Sequence, residues 1–191
     1  MVTRLVEHWV YGGFLAGLLI LALTPIIAAT WPAALTLVFL QLPVYMVHQY
    51  EEHDDGRFAA AINAMIGKGK TVLDDGAVFV INIPGVWGVN LVSIWLAFGV
   101  GVGWGLIGVY LTLVNALAHI GQALRLRAYN PGLATAVVLF LPVSIAGALI
   151  IGAVPGVIAF VHTPTAPQAT IGTERDVCAA FDGFCSCKFN G

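Results

Sequence analysis

Two hydrophobic segments of this 191-residue chain contain the residues whose types and spacing could bind a metal ion. The first segment ends in the run His48-Gln49-Tyr50-Glu51-Glu52-His53. On a helix of about 3.6 residues per turn, Glu51 and Glu52 follow His48 at i+3 and i+4, which predicts one shared face. Imidazole suits zinc and iron, and carboxylates can bridge two ions, so we expect metal ligands here, with His53 as an extra one. The other interpretation is a solvated helix end.

The second segment places Asn115, His119 and Gln122 at i, i+4 and i+7, on one stripe of a helix. His119 precedes Arg125 by six residues, about 9 Å of helical rise, and therefore lies at a depth similar to that of His48. Alone, such a histidine is typical of a hydrogen-bonded packing residue. The common depth favours a ligand, and Asn115 and Gln122 are expected to be further ligands or to orient the imidazole.

These residues resemble the signature of the HXXEE-domain family, small bacterial integral membrane proteins that are named after the motif. The resemblance covers roughly residues 31–142, from the His48 run to Asn115, His119 and the block at residues 129–136. It implies metal chemistry at these positions without supplying a reaction.

The composition indicates where these segments lie. Hydrophobic residues make up 59% of the chain and charged residues only 9%, whereas a soluble domain has about 25% charged residues. A water-soluble globule is therefore excluded. The net charge of −2 provides no basic surface for nucleic acid, and we expect no nucleic-acid partner.

The fold class predicted from these patterns is all-α, a polytopic bundle of transmembrane helices. Five stretches reach the roughly 20 apolar residues that a span requires, at residues 9–29, 32–50, 77–97, 104–124 and 132–160. The last stretch is long, which predicts a tilt or a kink at Pro142 or Pro155. Cations concentrate at the N-terminus, between spans two and three, and between spans four and five. This pattern predicts a multi-pass protein with a cytoplasmic N-terminus and an external C-terminus. The resemblance to the HXXEE-domain family implies that the membrane is the bacterial inner membrane.

Three connecting segments carry local signals. Phe58, Ile62, Met65 and Ile66 recur at helical spacing and predict a short amphipathic helix on the cytoplasmic surface. Asp74 and Asp75 are expected to cap the third span. The run Asn130-Pro131-Gly132 is typical of a turn that opens the fifth span, with Tyr129 as an interfacial anchor.

The composition divides the chain into a membrane domain at residues 1–161 and an extramembrane tail at residues 162–191. The tail begins as a linker rich in Thr, Pro and Ala and contains the three cysteines, Cys178, Cys185 and Cys187. Outside the cell, one disulfide could form and leave one thiol over. We expect the tail to be a contact or disulfide site of an oligomer.

The function predicted from these features is that of a membrane-integral metal-dependent enzyme. One or two ions of iron or zinc would be held by His48, Glu51, Glu52, His119, His53, Asn115 and Gln122. Glu51 and Glu52 are the predicted catalytic residues, in oxidative di-iron or hydrolytic zinc chemistry on a lipophilic small molecule or a membrane lipid. Two alternatives remain open, a proton or metal-ion transporter and a membrane scaffold that acts through the C-terminal tail.

Overall fold

The computed structural model of the chain describes residues 2–153, and every regular element among them is a helix. Six helices follow one another in this range: α1 Val2–Ile27, α2 Ala33–His53, α3 Arg57–Ile66, α4 Asp75–Gly99, α5 Val102–Leu126 and α6 Leu133–Gly152. The predicted all-α class is confirmed for these residues. The predicted domain boundary at residue 161 and the cysteine-containing tail lie outside the described residues.

Four helices, α1, α4, α5 and α6, are long and apolar enough to cross a membrane. Each of them exposes large apolar side chains at its surface, as Leu19, Trp95, Leu117 and Val138 do. Contiguous apolar surface of this kind is unusual on a water-soluble monomer and is typical of helices that face lipid. The composition and the structure therefore agree on a membrane protein, while the predicted orientation of its ends stays a prediction.

The helix α2 differs from the fifth span that the sequence predicted at residues 32–50. It is not among the helices apolar enough to cross a membrane, so the prediction of five spans is corrected to four candidate spans within the described part of the chain. More than half of the residues of α2 are buried, including the polar side chains of Gln41, His48 and Gln49. Because its neighbours cover it, α2 has no need of an apolar surface on all sides.

The position of α2 is fixed by close packing on two sides. Gly17 of α1 lies so near α2 that a Cβ atom there would come within 2.8 Å of the Cβ of Met46. On the other side, Tyr45 belongs to a buried apolar cluster with Ala116 of α5 and Phe140 of α6. The C-terminal turns of α2 are thereby held between three helices.

Two of the candidate spans contain a wide turn next to a proline. A π-helical turn at Ala136–Phe140 precedes Pro142 in α6, and a second one at Ile81–Trp87 contains Pro84 in α4. Proline lacks the amide donor, and its ring crowds the carbonyl four residues earlier. A wider turn relieves this crowding. The irregularity predicted at Pro142 is of this kind, whereas Pro155 lies outside the described residues.

The segment between α2 and α4 follows the sequence prediction closely. The expected amphipathic helix is present as α3, Arg57–Ile66. Asn63 of this helix holds the following loop, since its amide donates to the carbonyl of Leu73 and accepts from the backbone amides of Val72 and Leu73. Asp74 then caps α4 by accepting from the backbone amide of Ala77 at 2.8 Å, as predicted.

Candidate metal centre

The C-terminal part of α2 and the facing part of α5 bring three potential ligands together. One ligand atom each of His48, Glu52 and His119 lies within 4.8 Å of the other two, and all three side chains are buried. Nε2 of His48 is 3.5 Å from Oε2 of Glu52, and Nε2 of His119 is 3.5 Å from Oε1 of the same carboxylate. We call these three residues the His48–Glu52–His119 cluster.

The ring orientation of His48 is set by Thr135 at the start of α6. The hydroxyl of Thr135 donates to Oε2 of Glu51 at 2.5 Å, so its oxygen is left to accept a hydrogen bond. Nδ1 of His48 lies 2.8 Å from that oxygen and therefore carries the ring proton. In a neutral imidazole the lone pair is then on Nε2, the nitrogen that faces the cluster.

The ring of His119 is oriented in the same way by Asn130. The amide nitrogen of Asn130 donates to the backbone carbonyl of His119 at 2.8 Å, which fixes the amide so that its oxygen faces the ring. Nδ1 of His119 lies 2.8 Å from this oxygen and donates to it. The lone pair of His119 is thus also on Nε2 and also directed into the cluster.

Two lone pairs and one carboxylate consequently point at one another in a buried space. The nitrogen–oxygen separations of 3.5 Å exceed the usual hydrogen-bond range of about 2.7–3.2 Å. Among the described residues, no lysine or arginine forms an ion pair with Glu52. A divalent cation would satisfy all three atoms, and a histidine that donates its other nitrogen to a fixed acceptor is the usual arrangement at metal sites. The residues therefore fit a metal ion.

His53 stands at the edge of the cluster with an unused nitrogen. Its Nε2 lies 3.2 Å from Oε2 of Glu52, but the geometry gives it no hydrogen-bond partner although the atom is buried. A buried polar atom without a partner costs about 1–3 kcal/mol, so it marks a place where a further group belongs. The ring is held by Trp9 and Phe58, whose centroids are 5.4 and 5.1 Å away.

Glu51 is not part of the cluster, in contrast to the expectation that it shares a ligand face with His48. Its carboxylate instead caps the start of α6, where it accepts hydrogen bonds from the backbone amides of Ala134 and Thr135 and from the hydroxyls of Thr135 and Tyr129. Partial burial alone would raise the pKa of the Glu51 carboxyl, but the hydrogen bonds from Thr135 and Tyr129 outweigh burial and lower it. Burial and the nearby carboxylate raise the pKa of the Tyr129 hydroxyl.

The two predicted amides are placed differently from each other. Asn115 is half-buried, and its amide nitrogen lies 3.5 Å from Nε2 of His48, beside the cluster. Gln122 is half-buried further along α5, and no hydrogen bond within the described part of the chain connects it to the cluster. The structure therefore brings Asn115 to the site and does not bring Gln122 there.

The turn between α5 and α6 closes the site from one side. Gly132 has a φ of +94°, a conformation that side chains disfavour. A Cβ atom at this position would lie 2.7 Å from Cε1 of His119 and 2.8 Å from Cε1 of His48, closer than such atoms approach. Glycine is required here both by the backbone conformation and by the two rings that pack against it.

Sequence reasoning missed the roles of Asn130, Gly132 and Thr135. It interpreted residues 130–132 only as a turn, and it placed Tyr129 at the membrane interface rather than on Glu51. The position of Asn130 was a signal for its role at the site, because its side chain forms strong hydrogen bonds and it follows the helix that contains His119. The contact between Thr135 and His48 joins residues 87 positions apart and has no local signal.

Comparison with known proteins gives one match. The sequence model of a family described as "Protein of unknown function with HXXEE motif" matches residues 39–146, more than half of the chain. The matched range contains the whole cluster and the turn that supports it. Neither a curated protein nor a solved structure matches the chain significantly.

Proposed function

This chain belongs to the family of proteins with the HXXEE motif, and we propose that it is a membrane-embedded enzyme that uses one divalent metal ion. The observation that carries the proposal is that two imidazole lone pairs, on rings whose Nδ1 atoms already have hydrogen-bond partners, converge on one carboxylate. Two histidines and one carboxylate are the ligands of several catalytic zinc sites and of non-haem iron sites. Such a set leaves coordination positions open for water or substrate.

A single ion is favoured over two because, within residues 2–153, only one carboxylate reaches the cluster. A carboxylate-bridged pair of ions needs several acidic ligands, and Glu51 is engaged by the start of α6. The ligand set suits Zn²⁺ or Fe²⁺. Zinc there would activate a water molecule for hydrolysis, whereas iron would support oxidation.

We assign proton transfer to His53 rather than to Glu51. The Nε2 atom of His53 is buried, has no hydrogen-bond partner and lies 3.2 Å from the carboxylate that binds the ion. A general acid or base must be within hydrogen-bond reach of the reacting group, directly or through one water, and His53 would meet this condition for a group bound next to the carboxylate of Glu52. The Glu51 carboxylate is turned toward α6 and away from the cluster.

Elemental analysis of the purified protein tests the metal site. We expect about one zinc or iron per chain after growth with both metals, and loss of that metal in His48→Ala and in His119→Ala. His8→Ala is the matched control, because His8 is exposed on α1 and is not one of the three grouped ligands, and it should retain the metal. Full retention of metal in both cluster variants would disprove the assignment.

A second candidate function, ion transport, is supported by one observation. Gln41 and Asn90 are buried amides whose oxygens have no hydrogen-bond partner, a situation typical of internal water sites. Waters at these positions would extend a polar path into the bundle. Proton or metal flux into proteoliposomes, abolished by Gln41→Leu, would favour transport over catalysis. Absence of flux would leave the enzyme as the better proposal.

A further inference from the structure

A cavity of about 290 Å³ opens directly beside the cluster, between α2, α3, α4 and α5. Its polar wall contains Glu52, His53 and Asn115. His48 and His119 are not among its lining residues, so the cluster is open to this cavity from the side of the carboxylate. A molecule in the cavity would therefore lie beside the carboxylate of Glu52 and the amide of Asn115, which is 3.5 Å from Nε2 of His48.

The remaining wall of the cavity is largely apolar, with Phe58, Leu111 and Val86 among its members. Ile81 of α4 and Val114 of α5 also line it, and these two side chains are 55% and 64% exposed. Both belong to candidate membrane-spanning helices. The cavity thus opens sideways, toward the surface on which the exposed apolar residues lie.

The size of the cavity and the charges of its lining residues restrict which molecules it can bind. Ligand pockets usually measure about 300–1,000 Å³, so this cavity accommodates one end of a long molecule and not a whole lipid. None of the lining residues is a lysine or an arginine, and Glu52 supplies a carboxylate. A phosphate or carboxylate head group would find no cationic side chain there and would lie beside the carboxylate of Glu52, whereas a hydroxyl or carbonyl group can bind to Asn115 or His53.

We infer that the cavity binds the polar end of a neutral, single-chain lipid, such as a long-chain alcohol or ester, which enters from the bilayer between α4 and α5. The rest of the aliphatic chain stays among the membrane lipids. This inference rests on the proposed metal-dependent activity, for which it names the substrate class. The position of the cavity, its apolar mouth and its lack of cationic side chains support this substrate class.

Photolabelling of the full-length protein in lipid nanodiscs tests the inference. The probe is hexadecanol with a diazirine close to the hydroxyl, and mass spectrometry identifies the labelled residues. We expect labelling of the residues that line the cavity, competed by excess unlabelled hexadecanol. Hexadecanoic acid with the same diazirine should label these residues about tenfold less, as expected when roughly 1.4 kcal/mol of binding free energy is lost.

Two tryptophan variants on α5 provide a matched comparison. Val114→Trp fills the mouth of the cavity, while Leu117→Trp adds the same side chain at a position of similar exposure that does not line it. We expect Val114→Trp to reduce cavity labelling about tenfold and Leu117→Trp to leave it unchanged. If Val114→Trp does not fold, Ile81→Trp at the opposite side of the mouth replaces it.

Metal content measured on the same samples separates this inference from the proposed function. Competed labelling of the cavity in a protein that binds no metal would support the lipid site and contradict the metal enzyme. Retained metal without competed labelling would overturn the lipid site alone. Equal labelling in Val114→Trp and Leu117→Trp, or stronger labelling by the acid than by the alcohol, would also overturn it.

Discussion

Replacement of Thr135 by valine removes one hydroxyl and keeps the shape of the side chain. In the protein this hydroxyl accepts a hydrogen bond from Nδ1 of His48 and donates one to Glu51. His48 has no exposed surface, so water cannot take over the lost acceptor. We expect Thr135→Val to weaken metal binding although Thr135 does not touch the ion.

The size of the expected loss of metal affinity follows from the two tautomers of the neutral His48 ring. With a metal on Nε2, the ring proton must stay on Nδ1, where it is now buried without a partner at a cost of about 1–3 kcal/mol. Without metal, the proton can move to Nε2 and face Oε2 of Glu52, 3.5 Å away, so the electrostatic attraction of the carboxylate recovers part of this cost. The difference appears as lost affinity, about 10–100-fold, as is typical for residues that orient metal-binding histidines.

The dissociation constant for Zn²⁺ is measured by competition with a chromophoric chelator on the purified protein. Thr112→Val is the matched control, because it makes the same change at a fully buried threonine of α5 whose hydroxyl bonds to the carbonyl of Gly108 and not to the cluster. Thr135→Ser keeps a hydroxyl and should restore most of the affinity. Wild-type affinity in Thr135→Val, or an equal loss in Thr112→Val, would refute the reasoning.

The other predictions concern the two glutamates and the glycine of the turn. Glu51→Gln should lower the free energy of unfolding by about 1–3 kcal/mol, because the cap of α6 loses its charged acceptor, yet leave the metal content unchanged, because the amide oxygen can still accept the hydroxyl of Thr135. Glu52→Gln should lose the metal, and equal metal loss in both variants would contradict the geometry. Gly132→Ala should lower metal affinity and the melting temperature together, since its Cβ would displace the rings of His48 and His119. An unaltered affinity would show that the rings adapt.

The helices were the most predictable part of the chain. Length and hydropathy suffice to find α1, α4, α5 and α6, since each of them exposes apolar side chains. The same rule failed for α2, because burial among other helices depends on tertiary contacts that hydropathy does not describe. The feature of the sequence that indicates this burial is the presence of polar residues, such as Gln41 and Gln49, within the hydrophobic stretch.

The candidate site was predictable only in part. Equal depth correctly brought His48 and His119 together, because depth follows from helical rise alone. The prediction that Glu51 and Glu52 share one face with His48 ignored the angles between these side chains around the helix axis. At about 100° per residue, Glu51 and Glu52 lie about 60° and 40° from His48 on opposite sides. A helix enclosed by neighbours sends two such residues to different partners.

The two glutamates of the motif therefore contact different helices and have different roles. Glu52 turns toward α5 and meets His119, whereas Glu51 turns toward α6 and holds its first amides. Through Thr135 the Glu51 carboxylate also determines which nitrogen of His48 is free, although it lies outside the cluster. A carboxylate that binds no metal can thus control the metal site, because it fixes the one hydroxyl on which the ring orientation depends.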